Sequence, residues 1–480
     1  MQIHAYVLRR ISSEMASFQK CKRTKLNKKE KYEEAKLAAR VRRQDFKRRT
    51  EDFAHYENSG ISDYYFENGF RKVYPYDFVF KAYVKRRWID RSLFDVLQSE
   101  FNFTSLDLIS RRCESGDIKV NDAVVSPDYN LKDSDIISHK LHRHELPVLD
   151  SKIPFIFEDD DLLVLSKPAS IPVHPCGQYT LNSIIHILCK EYGRRPLRFV
   201  HRLDRMTSGL LLVAKNYDAS LRLASQIGAR EVKKYYICRA EGHFPDKLDA
   251  TNLQSSEETT GVVECSQPLG PLCPKMGLHA VMNECNGGKP ACTRFIRLAY
   301  EPESQTSLVL CRLFTGRTHQ IRIHLQYLGY PIVDDPLYNS TDWGDKKGKG
   351  AEYGMTIEEV IERISNSRSV SAYMESAQVL SSSGAEMTPF DHFKNRINSS
   401  SLEPSVQERL LHTFNAECPS CLNIMKDPKR NNLVLQLHAY RYSGSDWSYT
   451  APLPDWAIET ARASSVSDLT ELIESTIAKL

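Results

Sequence analysis

The sequence predicts an α+β fold built around a mainly antiparallel mixed sheet, preceded by a smaller α+β module. Short apolar runs bounded by turn residues predict strands at 162–165, 209–214, 235–240 and 308–313. Helical spacing of apolar residues fits between these runs at 181–191, 219–227 and 318–328. Because these helices do not alternate regularly with the strands, an antiparallel α+β sheet is favoured over a parallel one.

Changes in composition divide the chain of 480 residues into segments. We expect a basic disordered arm at 1–58 and a compact aromatic module at 59–145. A sheet domain should follow at 150–457, with a low-complexity insert at about 340–415, and a C-terminal helix at 458–480. The arm is expected to lack a core because residues 1–50 hold 16 Lys or Arg against 5 acidic side chains.

The overall composition is that of a soluble protein, with 41% hydrophobic and 26% charged residues. No run reaches the roughly 18 apolar residues of a membrane span, so we expect no membrane partner. Twelve dispersed cysteines favour a reducing, intracellular compartment with free thiols. Arg9 and Arg10 resemble part of a mitochondrial presequence, but later basic clusters fit a nuclear signal equally, so cytoplasm, nucleus and mitochondrion all remain open. We expect a monomer.

The strongest local motif is the stretch 201–209, which reads His-Arg-Leu-Asp-Arg-Met-Thr-Ser-Gly and leads directly into a predicted strand. A polar loop that enters a buried strand is a rigid place to hold a reactive side chain. Arg202 and Arg205 flank Asp204, and cationic neighbours favour the ionised carboxylate that a nucleophile needs. On residue types alone, a structural ion pair explains Asp204 equally well.

A second motif occupies 314–324, where a predicted strand gives way to a helix. Arg317 lies at this junction, and its guanidinium could pair with a carboxylate or hold a phosphate. A surface helix with a salt-bridged entry fits the same spacing. His319 and His324 are five residues apart and share no helical face, so they do not predict a metal pair.

These two motifs together resemble those of the RluA-type pseudouridine synthases. Further segments match that family's pattern in the expected order: Lys167-Pro168 with His174-Pro175 and Thr180-Leu181, Lys234-x-Tyr236 leading to Gly242, Gly288-Lys289-Pro290-Ala291-x-Thr293, and Leu437-His438-Ala439. The resemblance covers about 155–339 and 433–457. Several ordered segments are far more specific than any one of them.

The resemblance implies a pseudouridine synthase fold and an RNA pseudouridine synthase that isomerises a flipped-out uridine. Asp204 would be the nucleophile, Arg317 would pair with it, and Tyr236 would pack against the base. His201, Arg202 and Arg322 would contact RNA. The isomerisation involves no redox change or external group, so no cofactor or metal is expected.

A narrower resemblance indicates the substrate. The stretch 64–76 and the pair Arg87-Trp88 look like the eukaryotic branch that modifies an anticodon-loop uridine of cytoplasmic or mitochondrial tRNA. The ending 437–442, followed by Pro454-x-Trp456-Ala457, supports the same branch. Pseudouridylation of rRNA or mRNA is the alternative, as is a catalytically idle RNA-binding protein on the same fold.

Residues 85–145 resemble the alpha-L RNA-binding module of the ribosomal-protein type. Its basic side chains are expected to contact phosphates: Lys85, Arg86, Arg87, Arg111, Arg112 and Lys119. An unrelated small α/β appendage is the alternative.

Some relatives in this branch carry a zinc-dependent deaminase domain, whose chemistry needs H-x-E followed by P-C-x-x-C. The stretch His55-Tyr56-Glu57 fits the first part. The stretch Cys418-Pro419-Ser420-Cys421 follows Glu417, and the sequence places no histidine near it. Two ligands in a loop are more often bare thiols, so we expect no metal site, although binding of a metal by these two cysteines remains the alternative.

Overall fold

The computed structural model describes residues 64–101, 106–246, 261–274, 276–367, 388–422 and 427–480. The predicted basic arm and the stretch His55-Tyr56-Glu57 lie outside these residues. Among the helices of the described ranges, none has the length and apolar character needed to cross a membrane.

A short hairpin opens the described chain. Strands β1 (Tyr64–Glu67) and β2 (Phe70–Val73) pair antiparallel, and β6 (Val148–Leu149) adds to β2. Asn68 and Gly69 form the turn with φ of 53° and 76°, the left-handed conformation that a two-residue hairpin loop requires.

The following module is a three-stranded sheet with two helices. Its elements are β3 (Tyr76–Tyr83), α1 (Leu93–Phe101), α2 (Leu106–Glu114), β4 (Ile118–Val120) and β5 (Ile136–Arg143), with strand order β3–β5–β4. Leu93, Val96 and Leu97 are buried on one face of α1, as their helical spacing predicts. They pack with Ile109 and Ile118 in a core of their own.

The main sheet has ten strands in the described part of the chain. Its strands are β7 (Phe155–Glu158), β8 (Leu162–Lys167), β9 (Arg198–Phe199), β10 (Ser208–Ala214), β11 (Lys233–Glu241), β12 (Val263–Cys265), β15 (Thr293–Glu301), β16 (Thr306–Leu313), β17 (Leu437–Ser443) and β18 (Ser448–Thr450). The order is β12–β15–β16–β11–β17–β10–β8–β7, with β9 beside β10 and β18 beside β17. A separate hairpin pairs β13 (Leu269–Cys273) with β14 (Leu278–Val281).

Helices cover both faces of this sheet. One face holds α3 (Ile184–Lys190), α4 (Tyr217–Gly228) and α5 (Gln320–Leu328), and the other holds α10 (Asp455–Ala461) and α11 (Val466–Ile477). Strand β11 shows why two cores form, since Tyr236 and Cys238 enter the first and Tyr235 and Ile237 enter the second. Because β10 and β17 run parallel while the neighbouring pairs are antiparallel, the predicted mainly antiparallel mixed sheet is confirmed.

The region expected to be a low-complexity insert contains packed helices in its described parts. They are α6 (Ile357–Ser367), α7 (Pro389–Asn398) and α8 (Pro404–His412), followed by the short α9 (Pro419–Leu422). A few apolar residues are enough to pack these helices, because the apolar side chains lie on one face of the helix and are buried together. Val360 and Ile364 form that face in α6, and Phe393 and Ile397 form it in α7. Composition alone did not predict these helices.

The C-terminal segment also differs from the single helix predicted at 458–480. Helix α10 ends at Ala461, the following Arg462 has a left-handed φ of 49°, and α11 begins after Ser465. The Ser465 side chain accepts a hydrogen bond from the backbone N–H of Asp468, which caps the new helix.

Candidate active site

The loop that carries Asp204 joins the sheet where β10 meets β17. Ser208 and Gly209 pair with His438 and Ala439. A Cβ added to Gly209 would lie 2.3 Å from the carbonyl oxygen of Ala439, and its φ is +105°. Only glycine allows this approach, which explains the Ser-Gly ending of the motif. The Ser208 hydroxyl also hydrogen-bonds Nδ1 of His438 at 2.8 Å.

The fully buried Lys167 anchors the loop that carries Asp204 through hydrogen bonds to backbone carbonyl groups. The Nζ atom of Lys167 donates to the carbonyl oxygens of Pro168, Ile171 and Arg205 at 2.7, 2.9 and 3.1 Å. Burial lowers the pKa of Lys167 to about 7. The family pattern includes this residue, but only the structure places it under the residue that follows Asp204.

Asp204 is partly accessible to solvent, with 25% of its side chain exposed. Its Oδ2 is 3.3 Å from Nη1 of Arg322 and 3.8 Å from Nε2 of His319. Burial favours the neutral acid, but the positive charges of Arg322 and Arg202 and the hydrogen bond from Arg322 outweigh it and lower the pKa of Asp204, and His319 adds to this effect only when it is protonated. Burial also lowers the pKa of His319 to about 4. His319 is therefore neutral at pH 7, so the arginines keep Asp204 ionised.

Arg322 extends from α5 between two carboxylates. Its Nε and Nη2 donate to the two carboxylate oxygens of Asp335 at 2.7 and 2.8 Å, while Nη1 faces Asp204. The guanidinium also lies 4.8 Å from the ring centre of Tyr338. Such a bidentate buried pair fixes the plane of the guanidinium, and with it the group that contacts Asp204.

One expectation about these arginines is therefore corrected. Arg317 does not pair with Asp204, because its Nε donates to the carbonyl oxygen of Pro290 at 3.1 Å. Arg322 is the partner instead, and its contact with RNA stays a prediction. The helix begins at Gln320, after a left-handed His319, and Arg322 is buried in its first turn.

Tyr236 enters the same side of the sheet from β11. Its hydroxyl lies 2.5 Å from that of Tyr442 on β17, and the side chain is 7% exposed. Burial raises the pKa of Tyr236, and the charge of Asp204 raises it further. Tyr236 is therefore a neutral phenol near Asp204, suited to packing against a base.

The two remaining loop residues differ in exposure. His201 accepts a hydrogen bond at Nε2 from the backbone N–H of Leu212 at 3.0 Å, and burial lowers its pKa to about 3. It is a neutral ring that holds the loop against β10. Arg202 is exposed and contributes to the positive potential at Asp204.

The basic residues of the small module lie in several environments. Arg86 and Arg111 are exposed. Arg87 forms a bidentate pair with Glu100 at 2.9 and 2.6 Å, and Arg112 hydrogen-bonds His139 at 2.8 Å. Lys85 lies 4.4 Å from the ring centre of Trp88, and Lys119 is half-buried.

The expectation that Cys418 and Cys421 have no histidine partners is wrong. His142 and His144 lie beside them, although 277 residues separate His144 from Cys421. The chain spacing that the prediction relied on could not reveal this cluster.

Comparison with known proteins identifies the family. A family model described as RNA pseudouridylate synthase matches residues 161–327. Pseudouridylate synthase RPUSD2 of Mus musculus is 37% identical over 441 residues, which cover 86% of this chain and 76% of that protein.

Two proteins of Saccharomyces cerevisiae are similar over comparable lengths. The mitochondrial tRNA pseudouridine(32) synthase is 35% identical, with 81% of this chain and 77% of that protein covered. The tRNA pseudouridine(31) synthase is 32% identical, with 83% and 98% covered. The chain belongs to the RNA pseudouridylate synthase family and is a pseudouridine synthase of the RluA type.

Proposed function

We propose that this chain isomerises a uridine in the anticodon stem-loop of tRNA, with Asp204 as the nucleophile. The observation that carries the proposal is the ionised Asp204, open to solvent and anchored by Arg322. A carboxylate must be unprotonated to attack, and the Arg322–Asp335 pair orients its partner before substrate arrives.

The reaction breaks the N-glycosidic bond of uridine, rotates the base and rejoins it through carbon. The target atoms are inaccessible in a stacked strand, so the nucleotide must leave the stack at a cost of a few kcal/mol. Asp204 then reacts with the ribose or the base, while Tyr236 packs against the flipped ring. Burial keeps both Tyr236 and Tyr442 protonated, so Tyr236 meets the base as a neutral phenol that is held by its hydrogen bond with the Tyr442 hydroxyl.

Arg202 and the exposed Arg86 and Arg111 provide cationic contacts for the RNA backbone. The names of the two yeast relatives support tRNA as the substrate class. A catalytically idle RNA-binding protein is disfavoured, because RNA binding does not require the negatively charged Asp204 carboxylate that the buried Arg322–Asp335 pair keeps ionised.

The substrate is tested by mapping pseudouridine chemically in tRNA, rRNA and mRNA from cells with and without the gene. We expect one or a few anticodon-loop positions of tRNA to lose the modification and to regain it with purified wild-type protein. Loss confined to rRNA or mRNA would refute the tRNA substrate, and unchanged maps in all three classes would refute the proposed activity in those cells.

A further inference from the structure

A second cluster of reactive side chains lies outside the catalytic site. His142 is in β5 and His144 follows two residues later, and their ring centres are 5.0 Å apart. Cys418 precedes α9 and Cys421 lies within it. The backbone N–H of Cys421 donates to the carbonyl oxygen of Cys418 at 3.0 Å, so one helical turn brings the two thiols together.

The distances in this cluster are those between the ligands of one small ion. Sγ of Cys421 is 3.6 Å from Nδ1 of His142 and 3.3 Å from Nε2 of His144. All four potential ligand atoms lie within 4.8 Å of one another. Zinc bonds of about 2.3 Å to sulfur and about 2.0 Å to nitrogen give a tetrahedral sulfur-to-nitrogen edge of about 3.5 Å. The cluster therefore already has roughly the size of a zinc tetrahedron.

The chemistry of the four side chains also favours zinc. Thiolate sulfur and neutral imidazole nitrogen are zinc ligands, and both kinds of atom converge in this cluster. Two thiolates and two imidazoles neutralise a divalent ion, and a tetrahedral sulfur and nitrogen set is typical of zinc.

Proximity of thiols alone does not explain the arrangement. The Sγ atoms of Cys238 and Cys311, on adjacent strands, lie 3.6 Å apart, but this pair is in the apolar core of the sheet and, within the described residues, has no histidine in its contact. In contrast, the Cys418–Cys421 pair is brought to two half-buried histidines from a distant part of the chain. Both cysteines are free thiols, so a disulfide does not account for the pairing either.

We propose that His142, His144, Cys418 and Cys421 bind one Zn²⁺ ion as a structural site. Binding releases the two thiol protons and forms two sulfur and two nitrogen bonds to the metal. Four protein ligands leave no position open for water, which distinguishes this site from a catalytic zinc centre. A deaminase would also need an open position and a glutamate at the metal, and no carboxylate belongs to the cluster.

The metal would connect the small module to the helical segment 388–422. In that segment, Phe393, Ile397 and Leu410 pack on Tyr74 in a small cluster, so its apolar core is limited. The chain then continues into β17, which carries Tyr442. A zinc bridge from β5 to α9 therefore stabilises the segment that precedes a strand of the active site.

The first test uses the wild-type full chain, purified without chelator. Elemental analysis should find about one zinc per chain. Replacement with Co²⁺ should give sulfur-to-cobalt charge transfer and the visible bands of tetrahedral cobalt. Less than about 0.1 zinc per chain after incubation with Zn²⁺, or octahedral cobalt bands, would refute the site.

A second test uses variants. The pair Cys418→Ser with Cys421→Ser should lose at least about 90% of the bound zinc, whereas Cys285→Ser, at an exposed thiol elsewhere, should keep it. Chelation of the wild type should speed limited proteolysis within 388–422 at least about tenfold, and added Zn²⁺ should reverse it. Equal zinc in both variants refutes the ligands, and unchanged proteolysis refutes the bridging role. Neither result depends on the proposed RNA substrate.

Discussion

Asp335→Asn tests whether the buried pair behind Asp204 positions the catalytic carboxylate. Asp335 is 1% exposed, and its two oxygens accept the Nε and Nη2 hydrogen bonds of Arg322. The Oδ1 of Asp335, which accepts from Nη2, also accepts hydrogen bonds from the backbone N–H groups of Leu337 and Tyr338 at 2.9 and 3.0 Å. An asparagine keeps one accepting oxygen but turns an N–H₂ group towards the guanidinium, so Arg322 loses half of its bidentate contact and the charge of Asp335, and only the Asp204 carboxylate still opposes it.

Breaking a buried ion pair by removing one partner costs about 3–5 kcal/mol, and we expect unfolding free energy to fall by about that amount. A misplaced Arg322 should also slow single-turnover conversion by about tenfold to a hundredfold, measured well below the unfolding temperature.

Asp334→Asn is the matched control, since Asp334 is exposed and its φ of 56° suits asparagine. Urea unfolding and single-turnover rates of both variants decide the outcome. A stability difference between them below about 1 kcal/mol, together with equal rates, would refute the positioning role of Asp335.

Three further predictions concern the strand crossing, the RNA surface and the protonation state of the site. Gly209→Ala should destabilise the protein by at least about 2 kcal/mol in urea unfolding because its Cβ would clash with the Ala439 carbonyl, and an unchanged midpoint would contradict this. Arg86→Ala with Arg111→Ala should weaken RNA binding and reduce its salt slope by about 1 to 2, and an unchanged slope would remove both from the interface. Since burial lowers the pKa of His319 to about 4, any change of kcat/KM between pH 5 and 8 should persist in His319→Gln, because Lys167, with a pKa of about 7, also titrates beside the Asp204 loop; a change that disappears in His319→Gln would show that His319 titrates normally.

The sequence predicted those features that depend on neighbours along the chain. The strands at 209–214 and 308–313 and the helix at 219–227 follow from local apolar spacing, and the structure contains them with small changes at their ends. The motif around Asp204 was likewise visible, because its loop and strand are contiguous.

Features that depend on distant partners were predicted poorly. Asp204 and Arg322 are 118 residues apart, and Arg317 was predicted because it lies where a predicted strand gives way to a helix. His319 is left-handed just before this helix, and no local pattern indicated that conformation. The histidine partners of Cys421 were missed for the same reason.

The insert shows a different limit. Its Ser-rich and charged composition predicted a low-complexity insert, yet residues such as Trp343 and Ile364 are buried. A few apolar side chains at helical spacing are enough when an existing surface is available to cover them. Composition averages over such stripes and therefore does not detect them.

The central claim is that Asp204 is the nucleophile, and Asp204→Asn tests it most directly. The single-turnover rate of pseudouridine formation in one tRNA substrate should be measured for Asp204→Asn and for the control Asp334→Asn. The RNA dissociation constant of both variants should be measured with that tRNA. We predict a loss of at least about 10³-fold in rate for Asp204→Asn with a dissociation constant within about threefold of the control. A rate within tenfold of the control, or a loss of RNA binding that matches the loss of rate, would contradict the claim.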